Sequence, residues 1–495
     1  MLFRSRAAVT LKPDFAEAHA NLGAAWRSLG RFDAAEDSLR TALRLAPDNP
    51  SAYANLGLLL FDQGRIADAL AAYERGIEAS PGHLPLWRNR LAAVLYDPQR
   101  DEAEHRKLIE RFNALFVKFS PPAFPRTASP EPERRLRIGY VSSDLIDHPI
   151  ARNLGPVLEQ RDRARFEIVA YADVTAPDAT TARLRGMTDQ WRVSVGKSDE
   201  ELAAMIRGDR IDILVCLAGR LDKGRPLLAA RRAAPIQVSF HDPGTSGLPG
   251  MDYLIADPVL VPRRPVEWFS ERVVRLPHFY IHAPLEAPVP GVPPSRQQGY
   301  ITFGSFNNPT KLNDEVLRLW ARVVRETPRS VLQLKFRDWF ASPGLQVRLR
   351  SLFMAEGVEP SRLRLGGEAD ATEGHIARYG EIDIALDPFP FTGSTTTFEA
   401  LWMGVPVVTL QGRYMAGRWS ASMLRSVGLG ELIAGTPDDY AAIVAQLANY
   451  PERLTRLRAE LRGRVAASPL CDARGRARQL ERLYRALWRR WCAGP

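Results

Sequence analysis

The stretch Leu386–Leu410, LDPFPFTGSTTTFEALWMGVPVVTL, decides how the rest of the chain is read. Two short apolar runs, Ile382–Leu386 and Pro406–Leu410, have the composition of buried strands. Between them Gly393-Ser394-Thr395-Thr396-Thr397 opens a helix with small, hydroxylated residues. The first turn of a helix carries backbone N–H groups without intrahelical partners and the positive end of the helix dipole. A phosphate fits such an end, and Glu399 just inside it is placed to accept hydrogen bonds from a neighbouring ribose diol. The plainer alternative is a strand–loop–helix whose threonines only cap.

Working outward, strands and helical patterns alternate on both sides of this element. Arg137–Val141, Phe166–Tyr171, Ile211–Val215 and Ile236–Phe240 form one set of apolar strands. Ile301–Phe306, Val331–Phe336, Leu363–Leu365, Ile382–Leu386 and Pro406–Leu410 form a second. Continuous apolar strands separated by helices predict parallel, doubly wound sheets, here two Rossmann-like halves with a ligand cleft at the strand carboxyl ends. Proline-rich breaks over 119–134 and 284–298 bound the first half, 135–283, and precede the second, 299–465. The tail, 466–495, carries Leu480, Leu483, Tyr484, Leu487, Trp488 and Trp491 at helical spacing and is expected to pack back on one half, arginines outward.

Ahead of the halves the chain repeats with itself. Asn21-Leu22-Gly23 returns as Asn55-Leu56-Gly57, Gly30-Arg31 as Gly64-Arg65, Ala35 as Ala69 and Pro47 as Pro81, always 34 residues on. That period marks tetratricopeptide helix pairs. Two full units (14–81) and a divergent cap (82–118) make up the region 1–118, whose first unit is truncated, so a longer parent gene or a trimmed start is plausible. So short an array is expected to lean on the domain that follows. Asn21 and Asn55 are candidates for gripping an extended peptide backbone, against the simpler role of bonding between adjacent helices.

Composition narrows the classes. Of 495 residues 45% are hydrophobic and 25% charged, as in globular proteins. No apolar run approaches the roughly 18–20 residues that span a bilayer, and no secretory leader is evident, so no membrane partner is expected and the cytoplasm is the default. Three separated cysteines give neither a disulfide framework nor a zinc spacing. The net charge of +10 comes without a helix-turn-helix, RRM or zinc-finger signature, which argues against a nucleic-acid partner.

Helical repeats ahead of two Rossmann-like halves, with GSTTTFEALWMGVPVVTL in the second, resemble glycosyltransferase family 41. That family holds the protein O-linked N-acetylglucosamine transferases and the SPINDLY-type proteins. Further matches are Arg137-Ile-Gly-Tyr-Val-Ser-Ser-Asp144 with His148-Pro149, Ala234-Pro235-Ile236-Gln237, Pro243-Gly-Thr-Ser-Gly247 and Met251-Asp252-Tyr253. In the second half they are Phe303-Gly-Ser-Phe-Asn-Asn308 with Lys311, His375, and Ser468-Pro469-Leu470. The resemblance covers nearly the whole chain. It implies a GT-B fold and an inverting, metal-independent transfer of N-acetylglucosamine from UDP-N-acetylglucosamine to Ser or Thr hydroxyls of an acceptor protein, with no cofactor besides the nucleotide sugar. Lys311 matches the diphosphate-binding lysine, with Asn308 supporting the diphosphate or orienting that lysine. Gly393, Thr395, Thr396 and Thr397 then cradle the phosphates and Glu399 holds the ribose. His375 and Arg378 match positions beside the uracil and its ribose. His148 matches a histidine near sugar and acceptor that is suited to act as base, whereas Asp209 reads as a surface carboxylate.

Two departures fall on the acceptor side. Where relatives carry Asp-Leu-x-Gly-His-Thr, this chain has Cys216-Leu217-Ala218-Gly219-Arg220-Leu221, which replaces a neutral imidazole with the fixed cation of Arg220. Where Gly-Tyr-Pro is usual it has His241-Asp242-Pro243, so His241 or Asp242 could supply the imidazole or carboxylate instead. GDP-fucose or another hexosyl donor is the alternative within the class, towards which the FGSFNN and LPGMDY wording leans, while Arg378 leans towards UDP. A tetratricopeptide adaptor with a weak transferase half is the alternative outside it.

Overall fold

Small residues set the pairing of the N-terminal helices. In a computed structural model that describes residues 2–117, 124, 131–217, 219, 224–366 and 372–494, seven helices run α1 (Leu2–Leu11), α2 (Ala16–Ser28), α3 (Phe32–Leu45), α4 (Pro50–Asp62), α5 (Ile66–Ala79), α6 (Leu84–Ala93) and α7 (Glu102–Phe116). A Cβ on Gly23 would lie 2.5 Å from Leu39, and one on Gly57 would lie 2.2 Å from the Tyr73 ring. The repeated glycines are therefore where the two helices of a pair touch. Ala35 and Ala69 are wholly buried in the same seams.

The array leans on both halves, not only on the one that follows it in sequence. Phe32 meets Trp339 edge-on at 5.4 Å, Asp33 accepts from the Gly344 amide at 3.2 Å, and Arg348 donates to the Gln63 carbonyl at 2.8 Å. The end of the array turns to the first half, where Asn113 donates to the Gly247 carbonyl at 2.7 Å and Glu102 accepts from the Trp268 amide at 2.9 Å. All three bodies meet at the buried Arg100. Its guanidinium reaches Glu102, His105 and Glu267 at 2.8, 2.9 and 3.1 Å, and lies 4.1 Å from the Tyr414 ring centroid.

The first half is a seven-stranded, wholly parallel sheet. Its strands are β1 (Leu136–Ser142), β2 (Phe166–Ala172), β3 (Gln190–Val193), β4 (Ile213–Leu217), β5 (Ile236–Phe240), β6 (Tyr253–Ala256) and β7 (Arg272–Arg275), in the spatial order 3-2-1-4-5-6-7. The second has β8 (Ile301–Ser305), β9 (Ser330–Lys335), β10 (Leu363–Gly366), β11 (Ile384–Leu386), β12 (Val407–Leu410) and β13 (Ile433–Ala434), in the order 10-9-8-11-12-13. In each sheet the order reverses once, between β1 and β4 and between β8 and β11. Chain leaving the strands at those points diverges and leaves a crevice for a ligand. The repeats followed by two such halves are the fold class expected from sequence. The edge strands β3, β7 and β13 escape the apolar-run criterion because they are polar or very short, and the interior β6 escapes it at only four residues.

The tail helix, Ala473–Ala493, crosses back to the first half. Leu480 and Tyr484 cover Ile138, Tyr140, Phe166 and Ile168, and the Tyr484 and Tyr140 hydroxyls lie 3.0 Å apart. Its arginines are not all outward. Arg476 and Arg485 are buried, donating to the carbonyls of Tyr280 at 3.4 Å and Pro132 at 2.6 Å. A guanidinium can be buried along an apolar seam when backbone carbonyls receive its protons. No helix among the described residues is long and apolar enough to cross a membrane.

Candidate functional site

The crevice of the second half is built from the turns after β8 and β11. After β8, Asn308 caps the short 3-10 turn Pro309–Lys311 by accepting from the Thr310 amide at 3.1 Å. That turn points Lys311 back across the sheet end, where its ammonium donates to the Thr392 carbonyl at 2.8 Å and to Asn307 Oδ1 at 3.3 Å. The Phe391 ring centroid is 5.1 Å from the ammonium. Enclosure pushes the Lys311 pKa down to about 8, against a smaller upward pull from the Asp387 carboxylate. A lysine so placed is a desolvated cation with an unsatisfied demand for negative charge.

After β11, Asp387 ties the loop down by accepting from the Gly393 amide at 2.8 Å and the Thr409 hydroxyl at 2.6 Å. Burial raises the pKa of this carboxyl. Gly393 is needed there, since a Cβ would lie 2.3 Å from Thr397 Oγ1. The helix Thr395–Trp402 then begins without a side-chain cap from Ser394, so its first N–H groups keep their capacity for an anion. Thr396 Oγ1 donates to the same Asn307 Oδ1 at 2.9 Å that Lys311 uses. Thr395 accepts from the Tyr280 hydroxyl at 3.3 Å. Thr397 turns the other way: it is buried and bonds Ser420 at 2.8 Å, so it belongs to the core and not to the phosphate cradle.

Glu399 is buried and already engaged. One oxygen takes His375 Nε2 and the Tyr379 hydroxyl, each at 3.1 Å, and the other lies 3.6 Å from Arg152 of the opposite half. It lines, with His375, Thr395, Thr396 and Phe306, a cleft of about 740 Å³ whose far wall is Lys335–Trp339 and whose rim is Ser28–Gly30 of the first repeat. Arg378 is not part of this lining. It pairs with Glu381 at 3.4 Å.

The first half faces this cleft through the turn after β1. His148 caps the helix α8 (Pro149–Glu159), its Nδ1 accepting from the Ile150 amide at 3.3 Å, and its side chain is 39% exposed. Asp144 lies 3.8 Å from the same nitrogen. Nδ1 is thus occupied by a backbone N–H, while the side chain stays partly open to solvent. His241 is buried in the left-handed region at φ +64, its ring against Phe240 and Phe279. Burial pushes it down to about 3, so it is a neutral packing residue. Asp242 is also buried and accepts from the Ser239 hydroxyl at 2.5 Å. Both are therefore buried in the first half, and Arg220 lies outside the described residues. The Cys216 thiol is pushed up to about 12 by burial and is no nucleophile. Asp209 pairs with Arg192 at 2.8 Å and takes the Tyr171 hydroxyl at 2.9 Å, away from the cleft. In the repeats Asn21 is exposed and Asn55 half-buried; neither amide bonds a neighbouring helix among the described residues.

Several site residues escape sequence reasoning. Asn307, not Asn308, joins Lys311 to Thr396, and nothing in the pair FNN says which amide will face inward. Arg152 reaches Glu399 from another domain, beyond any local pattern. The aromatic wall Phe336–Trp339 sits directly after a strand that was recognised, so strand ends of a doubly wound sheet were the available signal.

The residues 102–284 and 295–480 match glycosyl transferase family 41, and 4–50 and 27–83 match the tetratricopeptide repeat. A rice (Oryza sativa subsp. japonica) protein named as a probable UDP-N-acetylglucosamine–peptide N-acetylglucosaminyltransferase SPINDLY is 36% identical over 434 residues, covering 86% of this chain and 46% of its own length. The Arabidopsis thaliana protein named as a probable enzyme of the same type, SEC, is 31% identical over 408 residues, covering 79% of this chain and 41% of its own. The chain thus spans about half the length of the curated relatives it matches. Its structure is similar to that of a lysine-to-methionine variant of Thermobaculum terrenum O-GlcNAc transferase, with a TM-score of 0.91 and 36% identity, covering 99% of this chain and 94% of the other. Two parallel-sheet halves, a cation and a helix N-terminus at their switch point, and a family match over most of the length lead to one statement: the chain belongs to glycosyl transferase family 41.

Proposed function

We propose that this protein transfers N-acetylglucosamine from UDP-N-acetylglucosamine to Ser or Thr hydroxyls of proteins, with inversion and without a metal ion. The observation that carries the reading is the convergence of Lys311, Asn307 and Thr396 on one point at the start of the helix Thr395–Trp402. In the transfer, the acceptor oxygen bonds to the anomeric carbon as the bond from that carbon to the diphosphate oxygen breaks. Negative charge grows on the departing UDP, and fixed positive groups already in place lower the barrier most. Lys311 and the uncapped helix end are such groups, which is why no metal is invoked. In this reading the acceptor proton leaves towards the first-half side of the cleft, where the His148 side chain stands partly exposed. The names of the relatives and of the similar structure support an N-acetylglucosamine donor and a peptide acceptor.

A second reading keeps the chemistry and changes the donor to GDP-fucose. Its support is the FGSFNN and LPGMDY wording of the sequence. Calorimetric titration with UDP, UDP-N-acetylglucosamine, GDP and GDP-fucose in the presence of a chelator separates the two. The first reading expects uridine nucleotides to bind, and binding to be lost in Lys311→Ala. Selective binding of GDP-fucose installs the second, and binding of none of the four leaves an adaptor with an idle transferase fold.

A further inference from the structure

The cleft is formed by the two halves, yet the turn that carries Lys311 rests on the repeats. Gly64, between α4 and α5, has φ +72, and a Cβ there would lie 2.5 Å from the Leu312 carbonyl oxygen and 2.8 Å from that of Pro309. Glycine is what lets the repeat backbone approach the Pro309–Lys311 turn so closely. Tyr96, at the end of the 3-10 turn after α6, stacks on Phe391 with centroids 4.3 Å apart and planes at 15°. Phe61 of α4 holds the Tyr96 ring edge-on at 4.8 Å. Phe391 faces the Lys311 ammonium at 5.1 Å and precedes Thr392, whose carbonyl receives one of its protons. Leu95 and Ala416 complete this small apolar cluster, which is separate from the main cores.

We propose that Tyr96 and Gly64 are positioning residues for Lys311, making the repeat array a wall of the donor site. The proposal rests on the reading of Lys311 as the ligand of the departing diphosphate. An ammonium held between a carbonyl, an amide oxygen and an aromatic face keeps its place only while the ring keeps its own. Without Tyr96, Phe391 loses the surface it stacks on, and water reaches the ammonium. The groups facing that ammonium are the Asn307 amide, the Thr392 carbonyl, the Phe391 ring and the Asp387 carboxylate, with the Tyr96 phenol behind the ring. Asp387 is the charged one, and substitution at Tyr96 leaves it untouched. Hydration therefore moves Lys311 from about 8 back towards its ordinary value of about 10.4.

The test is the pH dependence of Lys311 acylation, followed by mass spectrometry on the full chain for the parent, Tyr96→Phe, Tyr96→Leu and Tyr96→Ala. UDP titrations run alongside. The parent and Tyr96→Phe, which keeps the ring, are expected to show a midpoint near 8, and the Leu and Ala variants one near 10. At pH 7 those two variants should bind UDP about tenfold more weakly, the worth of roughly one charge-assisted hydrogen bond. Their binding should then stay level to about pH 9, where the parent, losing its ammonium proton, weakens. An unmoved midpoint in a folded Tyr96→Leu overturns the proposal; that variant keeps bulk without a ring and serves even where Tyr96→Ala does not fold. A moved midpoint with no UDP binding by any form upholds the positioning role and removes the donor reading.

Discussion

The two walls of the cleft are finished to different degrees. On the second half the side chains at the crevice are held before any ligand arrives: Lys311 on Thr392 and Asn307, Thr396 on Asn307, Glu399 on His375 and Tyr379. On the first half His148 stands 39% exposed at the head of α8, and the two residues that the sequence offers in place of the imidazole missing at Arg220, His241 and Asp242, are buried among their neighbours. The difference teaches where the chemistry is invariant. In the proposed transfer the leaving diphosphate would have the same charge and shape in every turnover, so its site can be built in advance. An acceptor hydroxyl would arrive on a chain of varying shape, so that side would carry few fixed contacts.

The contrast can be broken experimentally. The largest effect is expected for Lys311→Ala, with transfer falling roughly a thousandfold while the melting temperature is held, as measured by turnover and thermal denaturation. A thousandfold loss from His148→Ala would put equal weight on both walls. About a hundredfold in kcat, with donor affinity unchanged by calorimetry, is the expectation for a base on an otherwise open side. Asn307→Ala should weaken nucleotide binding about tenfold, against a change within about threefold for Asn308→Ala, because only the former bridges lysine and threonine. The smallest effect concerns stability. His241 has its pKa depressed from 6.5 to about 3, so between those values the unfolded chain takes up a proton that the folded chain refuses. Its contribution is complete above pH 6.5 and is lost on acidification by up to about 1.4 kcal/mol per pH unit. Denaturant titrations from pH 7 to 4 should show a shallower loss in His241→Phe.

How much of this could be read beforehand follows from the range of the forces involved. Most central strands are apolar on both faces, so their runs stand out, and the repeat declares itself through small residues returning 34 positions on, Gly23 as Gly57 and Ala35 as Ala69. The edge strands QWRV and RVVR are half solvent-facing and carry no such mark. Within the site, residue types were legible and directions were not. Three threonines in a row occupy three faces of a helix turn, which is why Thr396 meets Asn307 while Thr397 meets Ser420. Asn307 and Asn308 differ by one backbone step, and the turn at Pro309 decides between them. Arg152 and Tyr96 were illegible for a deeper reason: each acts on a residue more than two hundred positions away.

The return of the tail helix has a consequence for how the molecule comes into being. Ile138, Tyr140, Phe166 and Ile168 lie in the first half of the chain, yet their cover includes Leu480 and Tyr484. During synthesis the first half therefore stands with an uncovered apolar flank while the whole of the second half is being made. It reaches its final state only after the ribosome has passed the helix Ala473–Ala493. A nascent chain arrested between β7 and that helix holds a complete parallel sheet that is still adhesive, and chaperones would be expected to find it there.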